Sequence, residues 1–146
     1  MKKITAYRQL LNVDKTVALS DLKKIYRNSM KEWHPDKFHG NTEAQLEAEA
    51  KSKEVIEAYH FLVSINPETI NHLLPEYKET TSTQAVTDFT YDAARLKITF
   101  SNGSVYEYIS VPKAVYIKMI NADSPGRFAK RHIFNEFPYR KVTNQE

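Results

Sequence analysis

The spacing of apolar residues divides this chain of 146 residues into two parts near residue 66. Before that point, apolar side chains recur every three or four residues, which is the period of an amphipathic helix. After about residue 86, they alternate with polar residues, as they do in strands. The pattern therefore predicts an all-α first part and a small α+β second part.

Residues 4–65 are expected to form three helices. The first is short and should stop at Asn12, because asparagine tolerates the left-handed conformation that ends many helices. The second begins at Ser20 or just before it and ends before Pro35, since proline disfavours helical geometry at the preceding residue. The buried stripe of this second helix is expected to contain Leu22, Ile25, Tyr26, Met30 and Trp33.

The third helix has the start of a capping box, in which Thr42 is followed three residues later by Gln45. It should form an antiparallel pair with the second helix across the loop 34–42. Its buried side is expected to contain Ala48, Val55, Ile56, Tyr59 and Leu62.

Residues 66–85 connect the two parts. Asn66 and Pro67 look like the cap and the first position of a short helix that ends near Leu74. Residues 78–85 are polar and have few apolar anchors, which is typical of a linker. The predicted organisation is a helical domain with its short trailing helix at 4–74, a linker at 75–85 and a second domain at 86–142.

The second part is expected to begin with a hairpin-containing antiparallel sheet. Its strand residues are Phe89 and Tyr91, then Leu96, Ile98 and Phe100, then Val105, Tyr106 and Tyr108. Pro112 then opens a helix that reaches about Asn121, a second short helix starts at Pro125 after Ser124, and the tail 137–142 returns as a strand. The side chains available to cover the sheet are Val115, Met119 and Ile120.

The Asn-Gly pair at 102–103 marks a hairpin turn and leaves two registers open. A two-residue turn would place Tyr106 and Tyr108 beside Lys97 on an outer face, where they could stack bases. A three-residue loop with a glycine bulge would make both tyrosines core and pair Lys97 with Glu107 on the exposed face. The second register keeps the inner and outer faces consistent and is favoured.

Composition limits the chemistry that the chain can perform. The net charge is +3 and the hydrophobic share is 41%, which is typical of a soluble globular protein. There is no cysteine, which excludes disulfides and thiolate chemistry. No apolar run approaches a membrane span, and Arg8 and Gln9 interrupt any signal peptide, so a cytoplasmic location is expected. The histidines have no metal-ligand spacing, and no metal or cofactor is expected.

The segment His34-Pro35-Asp36-Lys37 stands between the second and third helices. Alone, it would indicate only a helix stop and a polar loop. Its context adds Tyr7, Leu10, Leu11, Val13, the run Leu22-Lys23-Lys24-Ile25-Tyr26-Arg27, Trp33, Glu57-Ala58-Tyr59 and Leu62. In their order and spacing, these residues and the segment resemble the J-domain of DnaJ-type co-chaperones.

The resemblance implies a module that binds a DnaK-type (seventy-kilodalton heat-shock) chaperone and stimulates its ATPase. Proline would fix the backbone so that His34 and Asp36 project in one arrangement, which lowers the ordering cost of binding. Asp36 would offer a charge-assisted acceptor to an arginine of the partner. A basic strip on the second helix would meet an acidic surface of that partner. The expected chaperone-binding residues are His34, Pro35, Asp36, Lys23, Lys24, Tyr26, Arg27 and Lys31.

Several positions depart from the family pattern. Asn28 and Glu32 stand where the family usually or often has basic residues, which weakens the electrostatic contact. The departures that suggest an altered core are Asn12, Ser29, Met30 and Ser52. A degenerate J-domain kept only as an interaction fold is therefore a further alternative.

A second resemblance rests on Phe89-Thr90-Tyr91-Asp92, Leu96, Ile98, Phe100, Gly103, Tyr106-Glu107-Tyr108, Val111-Pro112, Val115-Tyr116 and Ser124-Pro125-Gly126-Arg127-Phe128. With these residues, the segment 86–142 resembles the KTSC domain, a module named from the C-terminus of some lysyl-tRNA synthetases. RNA binding is suggested for this family, and a basic cluster could hold phosphates. The same cluster could bind an acidic segment of a client, or be only a solvated basic helix. The candidate nucleic-acid-binding residues are Arg127, Lys130, Arg131, Arg140 and Lys141, with His132 beside them.

The function predicted from the sequence is that of a co-chaperone without enzymatic activity of its own. Its C-terminal module would act as a targeting or client-binding domain. The alternative is an RNA- or ribonucleoprotein-binding adaptor that uses the basic C-terminal module. An enzyme is not expected, because a convex helix tip is a poor place to exclude water.

Overall fold

The computed structural model describes residues 2–142, which divide into two units between Thr69 and Ile70. The described part of the first unit is helical, and the second contains an antiparallel sheet with helices. This confirms the predicted fold class of both parts. The elements are α1 (Lys2–Leu11), α2 (Leu19–Trp33), a 3-10 helix (Pro35–Phe38), α3 (Thr42–Ile65), α4 (Pro67–Thr83), β1 (Val86–Asp92), β2 (Arg95–Phe100), β3 (Val105–Tyr108), α5 (Lys113–Ile120), α6 (Pro125–His132) and β4 (Tyr139–Lys141).

The core of the first unit lies where α1 and α2 pack against α3. Leu22 of α2 and Ala58 of α3 are fully buried there. The ring of Tyr7 lies 5.3 Å from the ring of Phe61, which joins α1 to α3. Asn12 has a φ of 55°, so the predicted left-handed stop of the first helix is confirmed.

The cap of α3 is one residue earlier than predicted. The side chain of Asn41 accepts a hydrogen bond from the Ala44 N–H at 3.1 Å, and Thr42 is already the first helical residue. The prediction that Thr42 caps this helix is therefore wrong. Asparagine and threonine are both good caps, and the sequence places them side by side, so pattern alone could not separate them.

The start of α2 is capped from a distant part of the same unit. The Leu19 N–H donates to Glu68 Oε2 at 2.8 Å, which places a carboxylate where the helix dipole favours negative charge. Asn66 is buried, and its side chain donates to the Val17 carbonyl oxygen at 2.8 Å. The beginning of α4 therefore holds the beginning of α2.

Helix α4 is longer than the sequence predicted. It was expected to end near Leu74, with a linker at 78–85, but it continues to Thr83. The predicted linker at 75–85 is therefore wrong for residues 75–83. Pro75 lies inside the helix, although it removes one main-chain hydrogen bond there.

Tertiary contacts in the second unit explain why α4 continues beyond Pro75. Tyr77 is only 4% exposed, and its ring stacks on that of Tyr139 with centroids 3.7 Å apart. In the last turns, hydroxyl groups donate to carbonyls of the preceding turn, as Thr83 does to Glu79 at 2.7 Å. Burial of the tyrosine outweighs the poor helix propensity of the segment.

The sheet has the order β1-β2-β3-β4, with all neighbours antiparallel. Ile98 pairs with Tyr106 across β2 and β3, and Gly103 has a φ of 87° in the loop between them. This is the favoured register with a three-residue loop, which is confirmed. β4 confirms the returning strand that was expected in the tail.

The helices of the second unit cover one face of this sheet. The buried core of the unit consists of Tyr77, Leu96, Ile98, Phe100, Tyr106, Tyr108, Val111, Met119, Ala129, Ile133 and Phe134. Met119 of α5 is fully buried as predicted, but Ile120 is 46% exposed. The next residue along a helix points about 100° away, so Ile120 leaves the covering face that Met119 occupies.

Candidate functional site

The loop after α2 presents two polar side chains to solvent. His34 adopts an extended conformation, and its Nδ1 accepts a hydrogen bond from the Asp36 N–H at 3.3 Å. The same nitrogen lies 3.5 Å from Asp36 Oδ2, and the two side chains are 53% and 90% exposed. Because Nδ1 is an acceptor in this geometry, neutral His34 carries its proton on Nε2, where it can donate to a partner.

Main-chain contacts hold this loop in shape. The Lys37 N–H donates to the His34 carbonyl oxygen at 3.0 Å, and the Asn41 N–H donates to that of Phe38 at 3.0 Å. The 3-10 helix packs against α3. Gly40 has a φ of 87°, which favours glycine. Most of the polar surface of the two side chains therefore remains available for recognition.

The basic strip of α2 is exposed, as the sequence predicted. Its members are Lys23, Lys24, Arg27 and Lys31. Within residues 2–142, none of the four forms an ion pair. Their charges are therefore not neutralised locally. The departures from the family pattern at Asn28 and Glu32 are also exposed.

Tyr26 differs from the rest of the predicted set because it also packs inside the unit. Its ring stacks on that of Tyr59 of α3, with centroids 4.0 Å apart and planes 13° apart. The residue is half-buried. Tyr26 therefore helps to fix α2 on α3 and offers only its remaining surface to a partner.

Two further side chains support α2 and α3 near the loop. The Lys51 ammonium lies 5.8 Å from the centroid of the Trp33 ring, within the range of a cation–π contact. Ser52, one of the departures from the family, is buried, and its hydroxyl donates to the Glu49 carbonyl oxygen at 3.0 Å. This polar group is therefore satisfied within its own helix.

The basic cluster predicted in the second unit does not form one surface. Arg127, Lys130 and Arg131 are exposed on α6. Arg140 is only 4% exposed, and its Nη1 lies 3.2 Å from Glu107 Oε1. Its assignment to an exposed nucleic-acid-binding cluster is therefore wrong, since the strand register places it directly opposite Glu107.

Two further predictions for this unit are corrected, one for Lys141 and one for the pair Lys97 and Glu107. Lys141 Nζ lies 2.8 Å from Glu76 Oε1. Lys97 does pair with Glu107 across the strands, but Glu107 is only 7% exposed and its carboxylate also lies 3.5 Å from Arg95. Glu107 thus belongs to a buried ionic cluster with Arg95 and Arg140. It does not form the exposed pair with Lys97 that the sequence predicted.

The tyrosines of the second unit form a buried network. The hydroxyls of Tyr77 and Tyr108 lie 2.8 Å apart, and that of Tyr77 donates to the Phe134 carbonyl oxygen at 2.7 Å. Burial raises the pKa of Tyr106 to about 12 and raises the pKa values of Tyr77 and Tyr108 well above their ordinary range. These side chains are neutral core residues, which leaves no tyrosine platform for stacked bases on this face.

The second unit contains a groove that the sequence analysis did not anticipate. Its volume is about 630 Å³, and it lies among the last turn of α4, the first half of β1 and the start of α6. Its lining includes Thr81, Val86, Phe89, Arg127, Lys130 and Phe134. The signal in the sequence is the polar run at 80–84, but its composition favours a linker and does not indicate that it lies near α6.

In residues 2–142, no group of three or more histidine, aspartate or glutamate side chains could hold a metal ion. No helix in this part of the chain is long and apolar enough to cross a membrane.

Comparison with known families agrees with this geometry. A model described as the DnaJ domain matches residues 6–69, and one described as the KTSC domain matches residues 82–137. The chain therefore carries a DnaJ domain, or J-domain, followed by a KTSC domain.

Curated relatives share a segment of this chain. The chaperone protein DnaJ of Fusobacterium nucleatum subsp. polymorphum is 46% identical over 57 residues, which are 38% of this chain and 14% of that protein. The chaperone protein DnaJ of Ruminiclostridium cellulolyticum is 50% identical over 56 residues, with coverage of 38% and 14%. Human DnaJ homolog subfamily B member 2 is 42% identical over 59 residues, with coverage of 40% and 17%. Each match thus spans less than a fifth of the relative.

Proposed function

We propose that this protein is a co-chaperone that binds a DnaK-type chaperone and stimulates its ATPase through His34, Pro35 and Asp36. The observation that supports this most is the exposed loop, in which His34 and Asp36 are held together while their outer polar atoms face solvent. The names of the relatives, chaperone protein DnaJ, support the same class.

Recognition rather than bond-making explains the arrangement of the loop. The Asp36 carboxylate is a charge-assisted acceptor suited to an arginine of the partner, and His34 Nε2 is a neighbouring donor. Because main-chain hydrogen bonds already fix the loop, little ordering free energy is lost on binding. Both side chains are widely open to water, which supports a role as a contact site and not as a catalyst.

The basic strip would bring the two proteins together. Lys23, Lys24 and Arg27 are exposed cations without local ion pairs among the described residues. Such charges speed the encounter with an acidic surface more than they tighten the final complex. Asn28 and Glu32 make the strip weaker than is usual for the family, so we expect salt to slow association less than it would with basic residues at these two positions.

In the same proposal, the second unit acts as the targeting or client-binding module. The RNA-adaptor alternative keeps the exposed cations of α6, but the ion pairs of Arg140 and Lys141 and the burial of the tyrosines give it less support. A cytoplasmic site of action belongs to the proposal and is consistent with the absence of cysteine.

Single-turnover ATP hydrolysis by the DnaK-type chaperone of the same organism tests the proposal. The wild-type chain should accelerate hydrolysis, and His34→Gln should lose the effect, because removing a central contact typically costs about 2 kcal/mol or more of binding. His39→Gln is the matched control, since His39 is an exposed histidine just after the same 3-10 helix.

The three proteins should first show the same circular dichroism spectrum. Equal acceleration by His34→Gln and wild type would refute the proposed role of the loop. Correct folding without any binding to the chaperone would instead favour a J-domain kept only as an interaction fold.

A further inference from the structure

Strand β1 is an edge of the sheet and pairs with β2 alone among the described strands. Phe89 lies opposite Ile98, and its N–H donates to the carboxylate of its own neighbour Asp88 at 2.9 Å. This amide therefore points to the open side of the strand. An edge strand with main-chain groups of this kind can accept another extended chain as an additional strand.

The groove of about 630 Å³ lies beside this open edge. Val86 and Phe89 contribute to it from β1, and Phe134 contributes a third apolar side chain. The volume is within the range of pockets that hold ligands in proteins. In strand addition, main-chain hydrogen bonds supply affinity and alternate side chains enter neighbouring pockets, so a groove beside an open strand has the required form.

The charge of the groove indicates what kind of chain it would accept. Arg127 and Lys130 line it, both are exposed, and neither forms an ion pair within residues 2–142. Asp123 is the only carboxylate among the described lining residues. The groove therefore carries a net positive charge and complements an acidic segment.

We propose that the β1 edge and its groove bind an extended, acidic segment of a polypeptide by strand addition. This inference deepens the client-binding part of the proposed function and rests on it for its biological role. Acidic residues of the segment contact Arg127 and Lys130, while apolar residues enter beside Phe89. The Asp88 carboxylate, which accepts a hydrogen bond from the Phe89 N–H, is displaced when the segment binds.

The binding test uses the full chain and a fluorescein-labelled peptide of alternating glutamate and valine, followed by fluorescence anisotropy. The peptide should bind, and the corresponding lysine–valine peptide should not. Arg127→Glu/Lys130→Glu should weaken binding about tenfold or more, whereas Lys113→Glu/Lys118→Glu should change it less than about twofold. Lys113 and Lys118 are exposed on α5 and outside the groove lining, so the second variant carries the same change of charge.

Asp88→Ala gives a prediction of the opposite sign. The Asp88 carboxylate accepts a hydrogen bond from the Phe89 N–H and also repels an acidic chain. Its removal should therefore tighten binding of the glutamate–valine peptide. A residue that served only to stabilise the strand would not produce tighter binding when it was removed.

Two N-methylated forms of the peptide distinguish strand addition from simple charge attraction, with the protein unchanged. One form carries methyl groups on the amides of the glutamates, and the other on those of the valines. Alternate amides of a strand point to opposite sides, so one form should bind like the parent and the other should lose about tenfold or more.

Equal binding of both methylated forms, or equal binding of the lysine–valine peptide, would overturn the proposal. A second combination of results would also overturn it. If the peptide does not bind, but a single-stranded oligouridine RNA binds and Arg127→Glu/Lys130→Glu abolishes that binding, the groove is a nucleic-acid interface. The assay contains no chaperone, so its failure leaves the ATPase proposal standing, and a failure of ATPase stimulation leaves the peptide result standing.

Discussion

The loop around His34 and the sheet around Tyr108 use polar side chains in opposite ways. In the loop, main-chain hydrogen bonds hold the backbone, and the side chains of His34 and Asp36 extend into solvent. In the sheet, polar groups form hydrogen bonds inside the core, as the Tyr77 hydroxyl does with the Phe134 carbonyl oxygen. A conspicuous polar or aromatic residue thus indicates a binding surface only where the fold does not already use it.

The same contrast, between an exposed and a buried polar side chain, holds for two arginines of the second unit. Arg131 is exposed on α6, whereas Arg140 lies in a buried ion pair with Glu107. Both belong to the basic cluster that the sequence predicted for this unit. Buried charges must be paired because desolvation is costly, so an arginine facing a glutamate across two strands has a structural role.

The largest effect on stability should come from the buried network of the second unit. Tyr77→Ala removes a ring that stacks on Tyr139 and a hydroxyl that donates to Phe134, and we expect a loss of about 3–5 kcal/mol in the free energy of unfolding. Urea titration followed by the near-ultraviolet circular dichroism of tyrosine measures it. Tyr77→Phe is the control and should cost about 1–3 kcal/mol, because it leaves its partners without a hydrogen bond but keeps the packing.

Tyr77→Ala with unchanged stability would show that α4 does not need this residue to continue beyond Pro75. The burial argument for the length of the helix would then fail.

An intermediate loss in the free energy of unfolding is expected for Arg140, with Arg131 as the exposed control. Arg140→Leu should destabilise by about 3 kcal/mol, because it leaves Glu107 with a weaker set of partners in a buried site. Arg131→Leu should change stability by less than about 0.5 kcal/mol, as is usual for exposed positions. The same urea titration applies, and similar losses for both variants would contradict the division between buried and exposed basic residues.

The smallest effect on stability should occur in the loop. Asp36→Asn changes an exposed group whose carboxylate is not needed to hold the main chain, so the free energy of unfolding should move by less than about 0.5 kcal/mol. Fluorescence of Trp33, the single tryptophan of the chain, reports on the first unit. A large loss at this position would mean that the side chain maintains the loop, and the contrast with the sheet would disappear.

Much of the fold could be predicted because local patterns agree with it. The left-handed Asn12, the Pro35 helix stop and the hairpin loop before Ser104 each follow from a residue preference that the rest of the unit reinforces. The loop of the candidate site belongs to this class as well. Its function depends on exposed side chains at the end of a helix, and helix ends are visible in sequence.

The errors at α4, at Arg140 and at the groove have one physical cause, which is that long-range contacts decided the outcome. The extension of α4 depends on Tyr77 packing against residues far along the chain, and local propensity favoured a linker. The burial of Arg140 depends on which residue faces it across β3 and β4. The groove beside β1 requires residues of α4, β1 and α6 to come together, which no local pattern contains.

The carboxylate of Glu68 at the start of α2 has a consequence for how that helix opens. Helix ends ordinarily fray by themselves, because their first amides lack partners. Here the partner lies 49 residues away, so releasing the Leu19 amide also breaks a hydrogen bond to the start of α4. Local opening of the helix that carries the basic strip is thereby coupled to opening of a larger cooperative unit. A chain cut after Ile65, at the end of α3, would lack this coupling even though it kept the three helices of the pattern.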